Sequence, residues 1–287
     1  KVEAEMAHLR GGQTTLTDAE VHRVAKHFVD PDYKTLSNQD AELAALDQQH
    51  PGFARWRTRN TLAHKKPGYV AVTLSLKPTG VAPGDVTDKQ FDAIADLADR
   101  YSFGQLRTSH EQNIILADVE QSQLFTLWGE LRENGFATPN IGLLTDIICC
   151  PGGDFCSLAN AKSIPIAESI QRRFDDLDYL FDIGELDLNI SGCMNACGHH
   201  HVGHIGILGV DKKGEEFYQV SLGGSASRDA SLGKILGPSF AQDDMPDVIS
   251  KLIDVYVEQR TEDERFIDTY QRIGIDLFKE RVYAANH

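Results

Sequence analysis

An α+β architecture is predicted for this chain by three features of its patterning. Residues 67–136 carry the element order strand, helix, strand, strand, helix. Residues 137–287 mix strands and helices in alternation, and residues 1–66 show helical periodicity in a polar background. At 287 residues the chain is long enough for a sizeable core split over two domains.

The leading segment, 1–66, reads as a helical approach. KVEAEMAHLRGG resembles the middle or end of a helix stopped by Gly11 and Gly12. Because the first residue is Lys1, the chain is expected to have been cut from something longer. TLTDAEVHRVAKHF has a Thr/Asp start and apolar residues at helical spacing, whereas DQQHPGFARWRTRN reads as a loop with a basic end.

Across 67–136 the pattern changes. After Pro67-Gly68, Val70, Val72, Leu74 and Leu76 alternate with small or polar residues, which predicts a half-buried strand. The stretch 77–84 holds two prolines and two glycines and reads as a loop. Thr87 is placed to cap the next helix with Gln90 at the capping-box position, and Phe91, Ile94, Ala95 and Ala98 form its apolar face. Extended pieces are expected around 105–108 and 113–117. A second helix follows, with Leu124, Leu127, Trp128 and Leu131 on one stripe. That order is the order of a ferredoxin-like unit.

In 137–287, SIPIAESIQRRF reads as a helix, ELDLNI, HIGILGV and EFYQVSL as strands, and MPDVISKLIDVYVEQR as a long amphipathic helix followed by a short one. No internal repeat or low-complexity tract is visible.

Composition narrows the function classes. The chain is 41% hydrophobic and 25% charged, as ordinary globular proteins are. A net charge of −15 argues against nonspecific binding to nucleic acid or anionic membrane. No apolar run matches the length of a bilayer-spanning helix, and no signal peptide is recognisable. The five cysteines lie within one third of the sequence. An odd count without a secretion signal disfavours a disulfide framework and favours a reducing, cytoplasmic setting in which clustered thiols bind metal.

Two stretches hold these cysteines: CCPGGDFCSLANA, beginning at Cys149, and SGCMNACGHHHVGHIGILG, residues 191–209. With Cys149 set aside, the pattern is C-x5-C at Cys150 and Cys156 and C-x3-C at Cys193 and Cys197. Four thiolates suit tetrahedral zinc or a 4Fe–4S cube. Zinc pairs favour two to four intervening residues, whereas a cluster is wider and admits looser ligand loops. Pro151, Gly152, Gly153, Gly192 and Gly198 keep backbone near the sulfurs, where bare amides can donate to them. His199, His200, His201 and His204 compete for a metal, but consecutive side chains diverge and cannot all face one ion. The residues alone leave a cluster, zinc and inert buried cysteines open.

CPGGDFCSLA followed by LNISGCMNACGHHHVGHIGILG resembles the paired signature of siroheme-dependent nitrite and sulfite reductases. The ferredoxin-like unit at 67–136 also lies where that family has one, and the likeness covers most of the chain beyond residue 60. Members usually have two such halves, and this chain resembles the second. The resemblance implies that 137–287 is a siroheme- and 4Fe–4S-binding domain in which Cys150, Cys156, Cys193 and Cys197 are the cluster ligands. It implies that Cys197 bridges to siroheme iron as its axial ligand, coupling electron store to reaction centre for the six-electron reduction of sulfite to sulfide or nitrite to ammonia.

Asn195 falls where the family has a residue near the macrocycle; otherwise it is a turn residue. RTSHEQNIILADV, residues 107–119, resembles a first-half segment that holds siroheme. Arg107, His110 and Asn113 therefore face the cofactor or occupy the symmetry-related position away from it. The family's anion-binding arginines and lysines come mainly from the first half, and nothing in this chain replaces them. The implied partners are the missing N-terminal half, a ferredoxin or flavoprotein donor, and a small anion. RWRTRN (55–60) with Lys65 and Lys66 is the candidate landing patch. SLGGSASRDASLGKILG lacks phosphate-loop spacing and reads as a tight loop, with Arg228 and Lys234 as candidate carboxylate partners. The competing functions are a cluster-only electron-transfer module and a zinc-stabilised structural domain.

Overall fold

The structure, a computed structural model, describes residues 1–13, 15–227 and 230–284. Contacts divide the chain into Lys1–Leu36 and Ser37–His287. In the first unit, helix Val2–Met6 runs into a 3-10 turn, Ala7–Leu9, and helix Asp18–Ala25 starts where the Thr17 side chain accepts the Glu20 N–H at 3.2 Å. Neither helix buries a residue.

The second unit opens with helices Asp40–Gln49 and Pro51–Asn60. The stretch expected to be a loop is thus helical. Pro51 stands in the first turn, where a missing N–H leaves no intrahelical bond unmade. Phe53, Trp56 and Asn60, three and four residues apart, turn one face inward, and all are buried. Leu43, Phe53 and Trp56 join the core of the first sheet.

That sheet contains β1 (Thr61–Ala63), β2 (Tyr69–Leu74), β3 (Leu106–Thr108) and β4 (Ile114–Glu120), in the order β1-β2-β4-β3 with every pairing antiparallel. Helices Asp88–Tyr101 and Leu124–Glu133 contribute Ile94, Leu97, Leu124, Leu127 and Leu131 to its core. The capping box forms: the Thr87 N–H donates to Gln90 Oε1 at 2.9 Å and the Gln90 N–H to Thr87 Oγ1 at 3.2 Å. β1 was not expected.

β2 is not half-buried. Of its six residues only Ala71 is partly exposed, and the polar positions continuing through Thr73, Ser75 and Lys77 are buried as well. They are buried because the chain at 136–146 supplies partners. Ser75 Oγ donates to Asn140 Oδ1 at 2.7 Å, the Ser75 N–H to Phe136 O at 3.1 Å, and Lys77 Nζ to Asp146 Oδ1 at 2.7 Å.

The second sheet runs β5 (Ile148–Cys149), β6 (Leu188–Ser191), β7 (Ile205–Lys212), β8 (Glu215–Leu222) and β9 (Lys234–Ile235), in that order. β5, β6 and β7 are parallel, while β7–β8 and β8–β9 are antiparallel. A parallel pair needs a crossover, and helices Ile164–Arg173 and Leu177–Ile183 provide it between β5 and β6. Helix Met245–Gln259 packs into the same core, and the chain ends in two short helices rather than one, Phe266–Ile273 and Asp276–Tyr283. Among the described residues, no helix is long and apolar enough to cross a membrane.

Candidate metal centre

The two cysteine loops meet because they leave neighbouring parallel strands at the same end. Cys149 pairs with Ile190, and the Cys150 N–H extends that ladder to Ile190 O at 3.1 Å. Loops beyond the carboxyl ends of parallel strands are where α/β sheets place ligands. The first loop folds on itself through Cys156 N–H to Gly152 O and Gly153 N–H to Ala161 O, both 2.9 Å. It is then joined to the second loop, as the N–H groups of Asn160 and Ala161 donate to Gly192 O at 2.8 and 3.1 Å.

From the other side of the same peptide chain, the Gly192 N–H donates to Cys150 Sγ at 3.0 Å, with Ser163 Oγ at 3.5 Å from that sulfur. Position 192 has no room for a side chain: a Cβ there would stand 2.7 Å from Ala161 O and 2.8 Å from Gly152 Cα. A Cβ at Gly198 would overlap the Ile190 carbonyl. The glycines therefore allow close backbone approach around the thiols.

The second loop is a series of tight turns. The Ala196 N–H donates to Cys193 O at 3.1 Å, His199 to Ala196 O at 2.8 Å and Val202 to His199 O at 3.0 Å. Ala196 and His199 adopt left-handed backbone, φ 56° and 54°, uncommon for residues with a side chain. The turns leave Cys193 buried and Cys197 exposed, while Cys150 is buried and Cys156 partly so. Phe155, Leu158 and Met194 stand exposed on the same two loops. All five cysteines are free.

Other candidate positions are placed as follows. Cys149 is buried on β5, its thiol donating to Cys150 O at 3.2 Å, and burial, reinforced by the adjacent Cys150, pushes its pKa up. A thiol held neutral is a poor ligand. Asn195 is exposed, and the left-handed turn geometry falls on its neighbour Ala196. Arg107 is exposed on β3, with its guanidinium on Leu106 O at 3.1 Å and Gln105 Oε1 at 2.8 Å. His110 is exposed. Asn113 is buried inside the fold, accepting the Leu76 N–H at 3.1 Å and donating to Asp146 Oδ1 at 3.0 Å. Arg228 lies outside the described residues, and Lys234 is exposed on β9.

The histidines separate as diverging side chains must. His199 and His201 are exposed. His204 Nδ1 accepts the Asp187 N–H at 3.1 Å; burial lowers the His204 pKa and raises that of Asp187. His200 is 2% exposed with both ring nitrogens unpartnered; burial, followed by the nearby His201 ring at 3.9 Å, pushes its pKa down to about 4. Among the described residues, no three His, Cys, Asp or Glu side chains converge on one ion. Thiols from two loops, glycine backbone pressed against them and an amide donating to sulfur fit a bulky sulfur-rich group better than a single zinc ion.

The sequence reading missed two features. Lys77, placed in a Pro/Gly loop, is 1% exposed and paired with Asp146. Gln112 binds both the N–H and the C=O of Cys149. Neither carries a local sequence signal. The basic landing patch is largely neutralised: Arg55 pairs with Asp178 at 2.5 Å, Arg57 with Asp47, and Arg59 lies 3.6 Å from Glu185.

The family described as "Nitrite and sulphite reductase 4Fe-4S domain" matches residues 143–286, and "Nitrite/Sulfite reductase ferredoxin-like half domain" matches 63–134. A ferredoxin–nitrite reductase of Synechococcus elongatus is 31% identical over 75% of this chain and 42% of its own length. A ferredoxin sulfite reductase of Mycobacterium tuberculosis is 30% identical over 67% of this chain and 36% of its own. The solved NirA protein of Mycobacterium tuberculosis superposes with a TM-score of 0.61 at 26% identity, over 77% of this chain and 41% of that one. Dissimilatory sulfite reductase I shares the fold, with a TM-score of 0.62 at 16% identity over 75% of this chain and 69% of that one. The chain thus spans well under half the length of the curated relatives named here.

Proposed function

Because the chain belongs to the nitrite and sulphite reductase family, we propose that it is the part of such an enzyme that holds the 4Fe–4S cluster and shares in binding siroheme. Cys150, Cys156, Cys193 and Cys197 are the ligands in this reading, with Cys197 common to cluster and siroheme iron. The observation that carries it is the amide of Gly192 aimed at the buried Cys150 sulfur, at the point where the two cysteine loops are joined.

Each residue has a task that its surroundings support. Cys150 and Cys193, buried, hold the inner side of the group and keep water from it. The Gly192 N–H donates to the Cys150 sulfur and so orients it toward the bound group. Cys197, exposed, presents its sulfur outward, where a macrocycle can reach it. When held by these four cysteines, the cluster and siroheme would supply the single-electron chemistry that a six-electron reduction of nitrite to ammonia or sulfite to sulfide needs. Holding that anion and supplying its protons falls to the absent half, which in this reading brings the arginines and lysines. A ferredoxin donor is favoured over a flavoprotein because relatives are named for ferredoxin. Five free thiols suit a reducing, cytoplasmic setting.

Purification without oxygen, followed by iron and sulfide counts and a visible spectrum, tests the proposal. Bound siroheme gives a Soret and a red band, a cluster alone a broad brown shoulder, and zinc no absorption. Iron and sulfide in equal amount apart from the siroheme iron, lost when Cys150, Cys156, Cys193 or Cys197 becomes Ser, are expected; zinc without sulfide overturns the reading. The isolated chain, reconstituted with siroheme, is expected not to turn over sulfite or nitrite. Robust turnover would remove the need for a second half.

A further inference from the structure

Strand β5 is two residues long and ends one residue before Cys150. It lies at the edge of its sheet, paired with β6 on one side only. Gln112 closes the other side at Cys149. Its Oε1 accepts the Cys149 N–H at 2.8 Å, and its Nε2 donates to Cys149 O at 2.8 Å. One side-chain amide thus does for this residue what a neighbouring strand would do.

Gln112 is itself held. It stands at the tip of the β3–β4 hairpin with φ 56°, a left-handed conformation that costs a residue with a side chain free energy. Its N–H donates to Ser109 O at 3.3 Å, and Ser109 N–H to Asn113 O at 3.0 Å. Gly84 passes so close that a Cβ there would lie 3.2 Å from that of Gln112. The next residue, Asn113, grips Asp146 Oδ1 at 3.0 Å, and Lys77 Nζ reaches the same oxygen at 2.7 Å. Two consecutive residues of one hairpin tip therefore fasten the chain on the approach to Cys150, at 146 and again at 149.

We propose that Gln112 is a positioning residue for Cys150: its two hydrogen bonds to Cys149 lock the short edge strand and so fix where the Cys150 sulfur meets the iron–sulfur cluster. This rests on the reading of Cys150 as a cluster ligand. Displacing β5 moves Cys150 away from the Gly192 amide and from the sulfurs of Cys193 and Cys197, whose loop follows β6 and is not carried by β5. Gln112 touches no reacting group and acts only through the backbone of Cys149.

The test uses the full chain loaded with iron and sulfide under anaerobic conditions. In Gln112→Asn the amide is a methylene too short to bridge, while Asn tolerates left-handed backbone. Gln112→Glu keeps the acceptor for the Cys149 N–H and loses the donor to Cys149 O. The structural control is Asn60→Ala, which removes the bonds of Asn60 Nδ2 to Thr73 O and Thr138 O, both 3.1 Å, away from the cysteine loops. Iron release to a chelator is expected to quicken on the order of tenfold in Gln112→Asn, as loss of two hydrogen bonds predicts, and at least as much in Gln112→Glu, whose second carboxylate oxygen would face Cys149 O. The paramagnetic resonance of the reduced cluster should shift in both variants and stay unchanged in Asn60→Ala. Wild-type release and resonance in Gln112→Asn, or equal changes in Asn60→Ala, would overturn the proposal while leaving the cluster reading intact. A wild-type chain that takes up no iron and sulfide would overturn both.

Discussion

Replacing Gly192 by Ala is a one-methyl perturbation at the contact between the cysteine loops. The new Cβ would lie 2.7 Å from Ala161 O and 2.8 Å from Gly152 Cα, and both are backbone atoms without a rotamer to change. Ordinary carbon contacts lie near 3.5–4.0 Å, so the two loops must part by roughly half an ångström or more. That strain costs about 1–3 kcal/mol, the usual range for overpacking. The same movement loosens the bonds of Asn160 and Ala161 to Gly192 O and of Gly192 N–H to Cys150 Sγ. Thermal unfolding of the metal-free chain should show the first effect as a Tm lower by roughly 2–12 °C, at about 2–4 °C per kcal/mol for a chain of this size. Iron and sulfide uptake on reconstitution should show the second as a reduced cluster content. A variant with unchanged Tm and full cluster content would refute the claim that close approach at position 192 organises the thiols.

Three further outcomes are expected. Asp146→Asn leaves the buried Lys77 ammonium without its counter-charge and should cost about 3–5 kcal/mol, read as a fall in the denaturant midpoint; the double change Lys77→Met with Asp146→Leu should recover only part of it, because Asn113 Nδ2 and the Gly142 N–H lose their acceptor. His200, whose pKa burial pushes down to about 4 from 6.5, contributes stability that is full above pH 6.5 and lost as pH falls toward 4, because the unfolded chain takes up the proton first. His200→Phe should therefore flatten the loss of Tm across that window, and a profile parallel to wild type would count against the assignment. Cys149→Ala should retain iron and sulfide where Cys150→Ala does not; equal loss would make Cys149 a ligand.

Legibility in the sequence followed the range of the interaction involved. The Thr87–Gln90 capping box, the amphipathic helix Met245–Gln259 and the strands from 188 to 222 depend on neighbours a few residues away, and their patterning was readable. The stretch through His50 and Pro51 misled because its polar, proline-containing surface reads as a loop. Its helix depends on Phe53 and Trp56 finding a distant sheet. β2 misled for the opposite reason: Thr73, Ser75 and Lys77 look solvent-facing until partners near residues 136–146 fold over them. Arg55, Arg57 and Arg59 read as a basic patch, and the acids that pair with them lie as far away as Asp178 and Glu185.

The sequence by itself determined which residues have metal-binding chemistry, because thiols and glycines at fixed spacing are covalent facts of the chain. It also determined the family, since the paired cysteine motif is specific. Tertiary structure alone decided how the two motifs meet. Parallel pairing of β5 with β6 brings Cys150 beside Gly192 across forty residues of crossover, and a hairpin from the first sheet holds that strand through Gln112. Hydrogen bonds between segments so far apart depend on the packing of whole layers, and no local pattern in the chain encodes their partners.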